Sequence, residues 1–214
     1  MASATDLAQL DAAVQMRMRV KRGQALLHHG QGFKNVYAVR TGFFKTYALS
    51  GEGREQVTGF QMAGELVGLD GIVGGQHVAN CVALEDSEVC VLPFDQLEAI
   101  LMGLAPMRRH LHRMMSHEIV RKGDVLLMLG AIRAEERVAG LLLDLMQRQQ
   151  ARGYSACELV LKMSRLDVAN HLCIKHETLS RTLAKLVERG VLQVDRQRVR
   201  ILDLAALHGI ASAQ

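Results

Sequence analysis

No run of about 18 consecutive apolar residues occurs in the 214-residue chain, so no segment reads as a membrane-spanning helix. The opening Met1-Ala2-Ser3-Ala4-Thr5-Asp6 has no basic stretch followed by an apolar one. No secretory signal is therefore visible, and a cytoplasmic location with no membrane partner is expected. Cysteine is sparse. Cys81, Cys90, Cys157 and Cys173 include no close pair and read as reduced thiols rather than a disulfide scaffold. Signatures of catalysis are missing too: there is no Gly-x-Ser-x-Gly turn and no phosphate-binding loop. His110, His112 and His117 are not four apart, so they do not make a two-histidine helical metal site. His28 and His29 are strand neighbours that point to opposite faces. Met114, Met115 and Met128 fit core or seam positions better than haem ligation. Nothing in the chain points to an enzyme.

What is present is the composition of an ordinary globular protein, 49% hydrophobic and 22% charged, at a length suited to one large domain or two small ones. Residues 1–132 carry 13 Lys and Arg against 13 Asp and Glu; residues 133–200 carry 13 against 8. With Asp203 the chain reaches its formal charge of +4, so the positive excess lies in the last third, where a polyanionic partner would be met.

Glycine divides the chain, since 12 of its 19 glycines fall between Gly23 and Gly75 and separate short apolar runs. Ala25–Leu27, Val36–Val39, Phe43–Tyr47 and Val89–Leu92, with turn signals at Thr41-Gly42 and Ser50-Gly51-Glu52-Gly53, predict an antiparallel β-roll or jelly roll ending near Pro93. Asp95–Leu101 then reads as a short helix, and Pro106 opens a longer one. On the longer helix Leu111, Met115, Ile119, Lys122, Leu126 and Leu129 form one stripe. A small roll cannot cover all of it, so a second copy of the chain is expected there in a coiled-coil-like homodimer seam. Lys122 interrupts the stripe, and Glu118 one turn earlier could pair with it. The boundaries expected are 1–104 for the roll, 105–132 for the dimer helix and 133–214 for the last domain.

A helix over Ala134–Arg148 carries Val138, Leu141, Leu142 and Leu145 on one face. Ser164 and Asp167 have the spacing of a capping box, opening a helix whose Leu166, Ala169 and Leu172 are expected inward. After a short turn, His176–Arg189 predicts another helix with Leu179, Leu183, Leu186 and Val187 inward and Gly190 as its stop. Val191–Val194 and Val199–Leu202 flank Asp195-Arg196-Gln197-Arg198 as a hairpin, which completes a winged helix-turn-helix. A recognition helix enters the major groove by its N-terminal residues. Glu177, Ser180 and Arg181 are placed to reach base edges: Arg can bind guanine O6 and N7, Glu can accept from the cytosine amino group, and Ser can adjust to either. Ser164, Lys175, His176, Lys185, Arg196, Arg198 and Arg200 are the expected contacts to the backbone of double-stranded DNA. Glu177 and Arg181, at i and i+4, could instead form an ordinary surface ion pair.

These residues resemble the Crp/Fnr family of bacterial transcription regulators over essentially the whole chain. The likeness is closest to the Fnr, oxygen-responsive branch. It runs through Gly23-Gln24-Ala25-Leu26, Tyr37-Ala38-Val39-Arg40-Thr41-Gly42, Glu55-Gln56-Val57-Thr58-Gly59-Phe60 and Gly64-Glu65-Leu66-Val67-Gly68. It continues in Val89-Cys90-Val91-Leu92-Pro93-Phe94, Ala134-Glu135-Glu136-Arg137 and Glu177-Thr178-Leu179-Ser180-Arg181. The resemblance implies an α+β chain: a cyclic-nucleotide-binding-like β-roll (a double-stranded β-helix or jelly roll), a dimerisation helix and a winged helix-turn-helix. It implies a palindromic TTGAT-like site read by Glu177, Ser180 and Arg181, RNA polymerase as a partner, and control of anaerobic or redox-responsive genes.

Two departures bear on effectors. Crp-like members hold a cyclic nucleotide with an Arg-Ser pair and a Glu, but Gly68–Gly71 and His77–Asn80 offer neither the arginine nor the glutamate. An anionic phosphate lacking a cation or a preorganised nest is poorly held, so cyclic AMP is not expected. Oxygen-sensing relatives hold a [4Fe–4S] cluster through N-terminal cysteines plus one in the roll. Cys90 sits at the roll position, but no cysteine precedes Cys81. A cluster takes four thiolates, so none is expected unless a cysteine segment precedes Met1; for the chain as written, Cys90 reads as a small buried apolar residue and no cofactor is expected. The alternatives are a regulator answering another small ligand, such as haem with nitric oxide, or a cupin-like metal-binding protein or enzyme. The cupin reading needs clustered ligands, a pattern that Glu65, His77 and Glu85 do not make.

Overall fold

The fold is a computed structural model that describes residues 16–131, 133–155 and 157–212, with the side chains of 127–131 outside the description. It divides into two compact units, residues 1–121 and 122–214. The division falls inside a long helix, whereas the sequence pattern suggests boundaries at its two ends.

In the first unit eight strands form two four-stranded sheets. They are β1 (Met16–Val20), β2 (Ala25–Leu27), β3 (Asn35–Thr41), β4 (Phe43–Leu49), β5 (Glu55–Met62), β6 (Leu66–Val67), β7 (Asn80–Ala83) and β8 (Ser87–Pro93). Their orders are β1-β8-β3-β6 and β2-β7-β4-β5, and every pairing is antiparallel. Alternation explains the layering: along β8, Ser87, Val89 and Val91 are buried while Glu88 and Cys90 between them are half-buried. Val20, Leu27, Val39, Phe44, Val67, Ala83 and Val89, drawn from both sheets, close into one core. Burying a side chain such as Phe44 or Val89 contributes roughly 1.5–3 kcal/mol, which sets the strand register. Gly42 turns the corner from β3 in one sheet to β4 in the other. Its φ is +98°, and a Cβ there would lie 2.0 Å from Ser87 Oγ, so only glycine fits.

Beyond the roll come α1 (Phe94–Gly103) and α2 (Ala105–Ala131). Leu97 and Leu101 of α1 pack with Met107 of α2, and Phe94, Leu104 and Leu111 lie against that cluster. Leu111, placed by its spacing at the head of the seam, thus also serves its own domain. Glu118 pairs with Arg121 at i+3, and Arg121 also lies 3.7 Å from Glu65 on the turn before β6.

In the second unit α3 (Ala134–Gln150) buries Val138, Leu141, Leu142 and Leu145, with Ala139 and Met146. The order continues through β9 (Glu158–Val160), α4 (Arg165–His171), α5 (His176–Glu188), β10 (Leu192–Asp195), β11 (Arg198–Ile201) and α6 (Leu204–Ala211). The expected hairpin is one strand larger: β9 pairs with β11, giving the order β10-β11-β9. Two inward assignments are corrected. Leu166 is 68% exposed, because α4 turns Val168, Ala169 and His171 to the core. Val187 is 42% exposed, and Thr182 is buried alongside Leu179, Leu183 and Leu186. In both helices the buried face is a narrower arc than the apolar residues suggest.

Candidate nucleic-acid interface

The capping box at the entry to α4 is formed. Ser164 Oγ accepts from the Asp167 backbone N–H at 3.0 Å, and an Asp167 carboxylate oxygen accepts from the Ser164 N–H at 3.1 Å. That Ser164 hydroxyl also donates to Asp167 at 2.6 Å, so the side chain is committed to its own helix. Cys173, with φ +51°, makes the turn from α4 towards α5.

On α5 the arithmetic of the helix sorts the residues. Leu179, Leu183 and Leu186 form the buried face, and Glu177, Ser180, Arg181 and Lys185 stand exposed on the other side, with Lys175 and His176 exposed at the entry. Among the described residues neither Glu177 nor Arg181 has an ion-pair partner, so the surface pair open to them at i and i+4 is not made. A free carboxylate and a free guanidinium sit one turn apart near the N-terminal end of the helix, with the acceptor and donor sets that distinguish cytosine and guanine edges. Ser180 Oγ donates to the His176 carbonyl at 3.1 Å. Lys185, exposed, forms an ion pair with Glu135 of α3, whose second oxygen lies 3.3 Å from Arg189.

In the hairpin, Arg198 and Arg200 alternate with buried Val199 and Ile201, so both stand on the outer face of the small sheet. Arg200 lies 3.6 Å from Glu158 on β9, an exposed pair, and Arg196 occupies the turn with φ +53°. The Arg196 carbonyl accepts from Arg165 Nη2 at 3.0 Å. Burial lowers the Arg165 guanidinium pKa below its ordinary value. Arg165 and Arg137, which donates to the Leu172 carbonyl at 3.0 Å, carry the internal geometry of this unit. The sequence reading gave neither a role. Arg165 could have been suspected from its place directly after a Ser N-cap.

Of the stripe on α2, Leu111 and Met115 are half-buried, while Ile119 and Leu126 are each 69% exposed and Lys122 is exposed. The Leu129 side chain lies outside the described residues. In the roll, the Asp70 carboxylate accepts from the backbone N–H groups of Val78 at 2.8 Å and Ala79 at 3.2 Å, and lies 3.1 Å from Nδ1 of buried His77. These residues do not fit a phosphate, because a carboxylate already occupies the local donors. They do not fit a four-thiolate cluster either. Cys90 is half-buried on β8, and among the described residues no three His, Cys, Asp or Glu side chains are grouped to hold a metal. Burial, with the Asp70 charge adding to it, pushes the Cys81 thiol far above its usual range.

A two-sheet roll followed by a winged helix-turn-helix with an exposed reading face defines a DNA-binding transcription regulator. The comparisons give the same class. A cyclic nucleotide-binding domain model matches residues 17–103, and a Crp-like helix-turn-helix model matches residues 136–210. The chain is 40% identical over 204 residues to transcriptional regulatory protein btr of Bordetella pertussis, covering 95% of this chain and 84% of the relative. It is 38% identical over 206 residues to the fumarate and nitrate reduction regulatory protein of Yersinia pestis, covering 96% and 82%. Among solved structures, FixK2 from Bradyrhizobium japonicum superposes with a TM-score of 0.84 at 28% identity, over 93% of this chain and 98% of that one. The chain belongs to the Crp/Fnr family of transcription regulators.

Proposed function

We propose that this regulator binds a palindromic TTGAT-like site as a homodimer and controls anaerobic or redox-responsive genes. The observation that carries the reading is the exposed ridge on α5, where Glu177 and Arg181 have no ion-pair partner among the described residues. Arg181 takes the guanine O6 and N7 of each half-site, Glu177 accepts from a cytosine amino group, and Ser180 turns from its helix carbonyl to a neighbouring base. Lys175, His176, Arg196, Arg198 and Arg200 meet phosphates and set the register. A second copy of the chain covers half-buried Met115 together with Ile119 and Leu126, and the exposure of the last two on one chain is unusual for large apolar side chains along a helix. A two-fold homodimer presents the same helix to each half-site, which makes the site an inverted repeat.

The redox assignment draws on the relatives, among them the anaerobic regulatory protein of Pasteurella multocida at 39% identity and the transcriptional activator protein Anr of Pseudomonas protegens at 39%. The donors already taken by Asp70 support a roll that does not take cyclic AMP. The regulator works in the cytoplasm with RNA polymerase as its partner; no helix among the described residues is long and apolar enough to cross a membrane. Fluorescence anisotropy with an inverted TTGAT repeat and a scrambled duplex tests the reading. Tight binding to the repeat alone supports it, and equal binding to both duplexes refutes it.

A further inference from the structure

We propose that Glu135 and Arg137, on the first turn of α3, are positioning residues that hold α5 in its base-reading pose. This deepens the reading of α5 as the helix that enters the groove, and rests on it.

The three charged residues 135–137 each have a different engagement. Glu136 turns back to its own helix start, where its carboxylate accepts from the Arg133 backbone N–H at 3.2 Å and closes the N-terminus of α3. Glu135 reaches across to α5 and holds two cations near its far end, Lys185 on the last turn and Arg189 just past it, the latter at 3.3 Å. Arg137 donates to the carbonyl of Leu172, the residue that ends α4, immediately before the turn into α5. One turn of α3 therefore grips the recognition helix from both ends: through the turn that feeds it and through its last cations. The turn is itself fixed by Val138, Ala139, Leu141 and Leu142, which follow directly and are buried.

The far grip acts on a long lever. Glu177 and Lys185 are eight residues apart, about 12 Å along the axis at 1.5 Å per residue. Base contacts tolerate roughly 0.5 Å of misplacement, which at that arm is a tilt of about 2°. The apolar face of Leu179, Leu183 and Leu186 anchors one side of the helix. A charged grip at the solvent-facing rim near its far end opposes tilting about that anchor. Glu135 also neutralises cations that would otherwise meet any phosphate within reach, so its loss should act oppositely on specific and non-specific binding. A contact that serves stability alone would lower both together.

The experiment uses the full chain and measures anisotropy on an inverted TTGAT repeat and on a scrambled duplex across a salt series. Glu135→Gln should weaken the specific site about three- to tenfold, the range for loss of a partly exposed ion-pair network. Binding to the scrambled duplex should hold or rise, with a salt slope steeper by about one as Lys185 is released. The charge-swapped double variant Glu135→Lys with Lys185→Glu keeps one carboxylate between two cations and should restore the specificity ratio. Arg137→Gln should lower that ratio without steepening the slope. An unchanged ratio in Glu135→Gln overturns the proposal, as does a parallel loss on both duplexes with a fall in thermal midpoint. Arg181→Ala, measured beside it, separates the two claims. If Arg181→Ala collapses the ratio and Glu135→Gln does not, the grip alone is wrong; if neither changes it, the assignment of α5 to base reading is wrong.

Discussion

Truncating Arg181 is the perturbation whose magnitude the structure constrains most closely. Arg181 is exposed and has no ion-pair partner among the described residues, so Arg181→Ala removes no internal contact of its helix. Its effect on folding stability should stay within about 0.5 kcal/mol, the usual range for surface sites. Its effect on binding should be far larger. A bidentate arginine–guanine contact carries roughly 1–3 kcal/mol of discrimination, and a homodimer on a palindrome loses it twice, about 2–6 kcal/mol. At about 1.4 kcal/mol per tenfold, the affinity falls at least thirtyfold, until the non-specific floor limits the loss. Anisotropy on the inverted repeat and on single-base variants of each position reads this directly. Arg181→Ala should flatten the preference at one base pair per half-site and leave the scrambled duplex bound almost as before. A uniform loss on every sequence, or a loss tracked by a lower melting temperature, would refute the reasoning.

Arg198 makes the contrasting case. Arg198→Ala on the outer face of the hairpin should weaken all duplexes alike and lower the salt slope by about one, checked in the same titrations. Ile119→Glu places charges on the exposed stripe of α2 and should give a monomer by sedimentation with weakened binding to the repeat; a variant that stays dimeric would move the interface elsewhere. Ser164→Ala removes the cap of α4 and should cost about 1 kcal/mol in denaturant unfolding. Cys81, buried and with its thiol pKa raised, should react with a thiol reagent only as the protein unfolds, well after exposed Cys157 and Cys173. The sign of its pH dependence follows: above about pH 8.5 the unfolded thiol ionises while the folded one stays protonated, so the unfolded state binds fewer protons and stability falls as pH rises.

The reading helix was legible because its signals are local and mutually consistent. A capping box, a heptad-like apolar face ending at Gly190 and an arginine hairpin each occupy a few residues, and together they admit one arrangement. The roll was legible in class but not in its strands. β2, β3, β4 and β8 are short apolar runs, whereas β1 (Met16–Val20) alternates arginine with apolar residues and β5 (Glu55–Met62) carries Thr58, Gly59 and Gln61, so their burial comes from distant pairing. β9 and α6 escaped for the same reason. β9 is three residues long and is defined only by its partner β11. Leu166 and Val187 misled because apolar identity does not say how wide a helix's buried face is. The engagements of Glu135, Arg137 and Arg165 join residues 31 to 54 apart in sequence, which no local pattern encodes.

Sequence-specific DNA binding through α5 by two copies of this chain is tested most directly by equilibrium binding of the wild-type protein to an inverted TTGAT repeat. A scrambled duplex of equal length is titrated beside it at about 150 mM salt, with the stoichiometry measured in the same titration. Two chains per repeat and a preference of roughly a thousandfold or more over the scrambled duplex are expected. Equal affinity for the two duplexes, or one chain bound per repeat, would contradict this mode of binding.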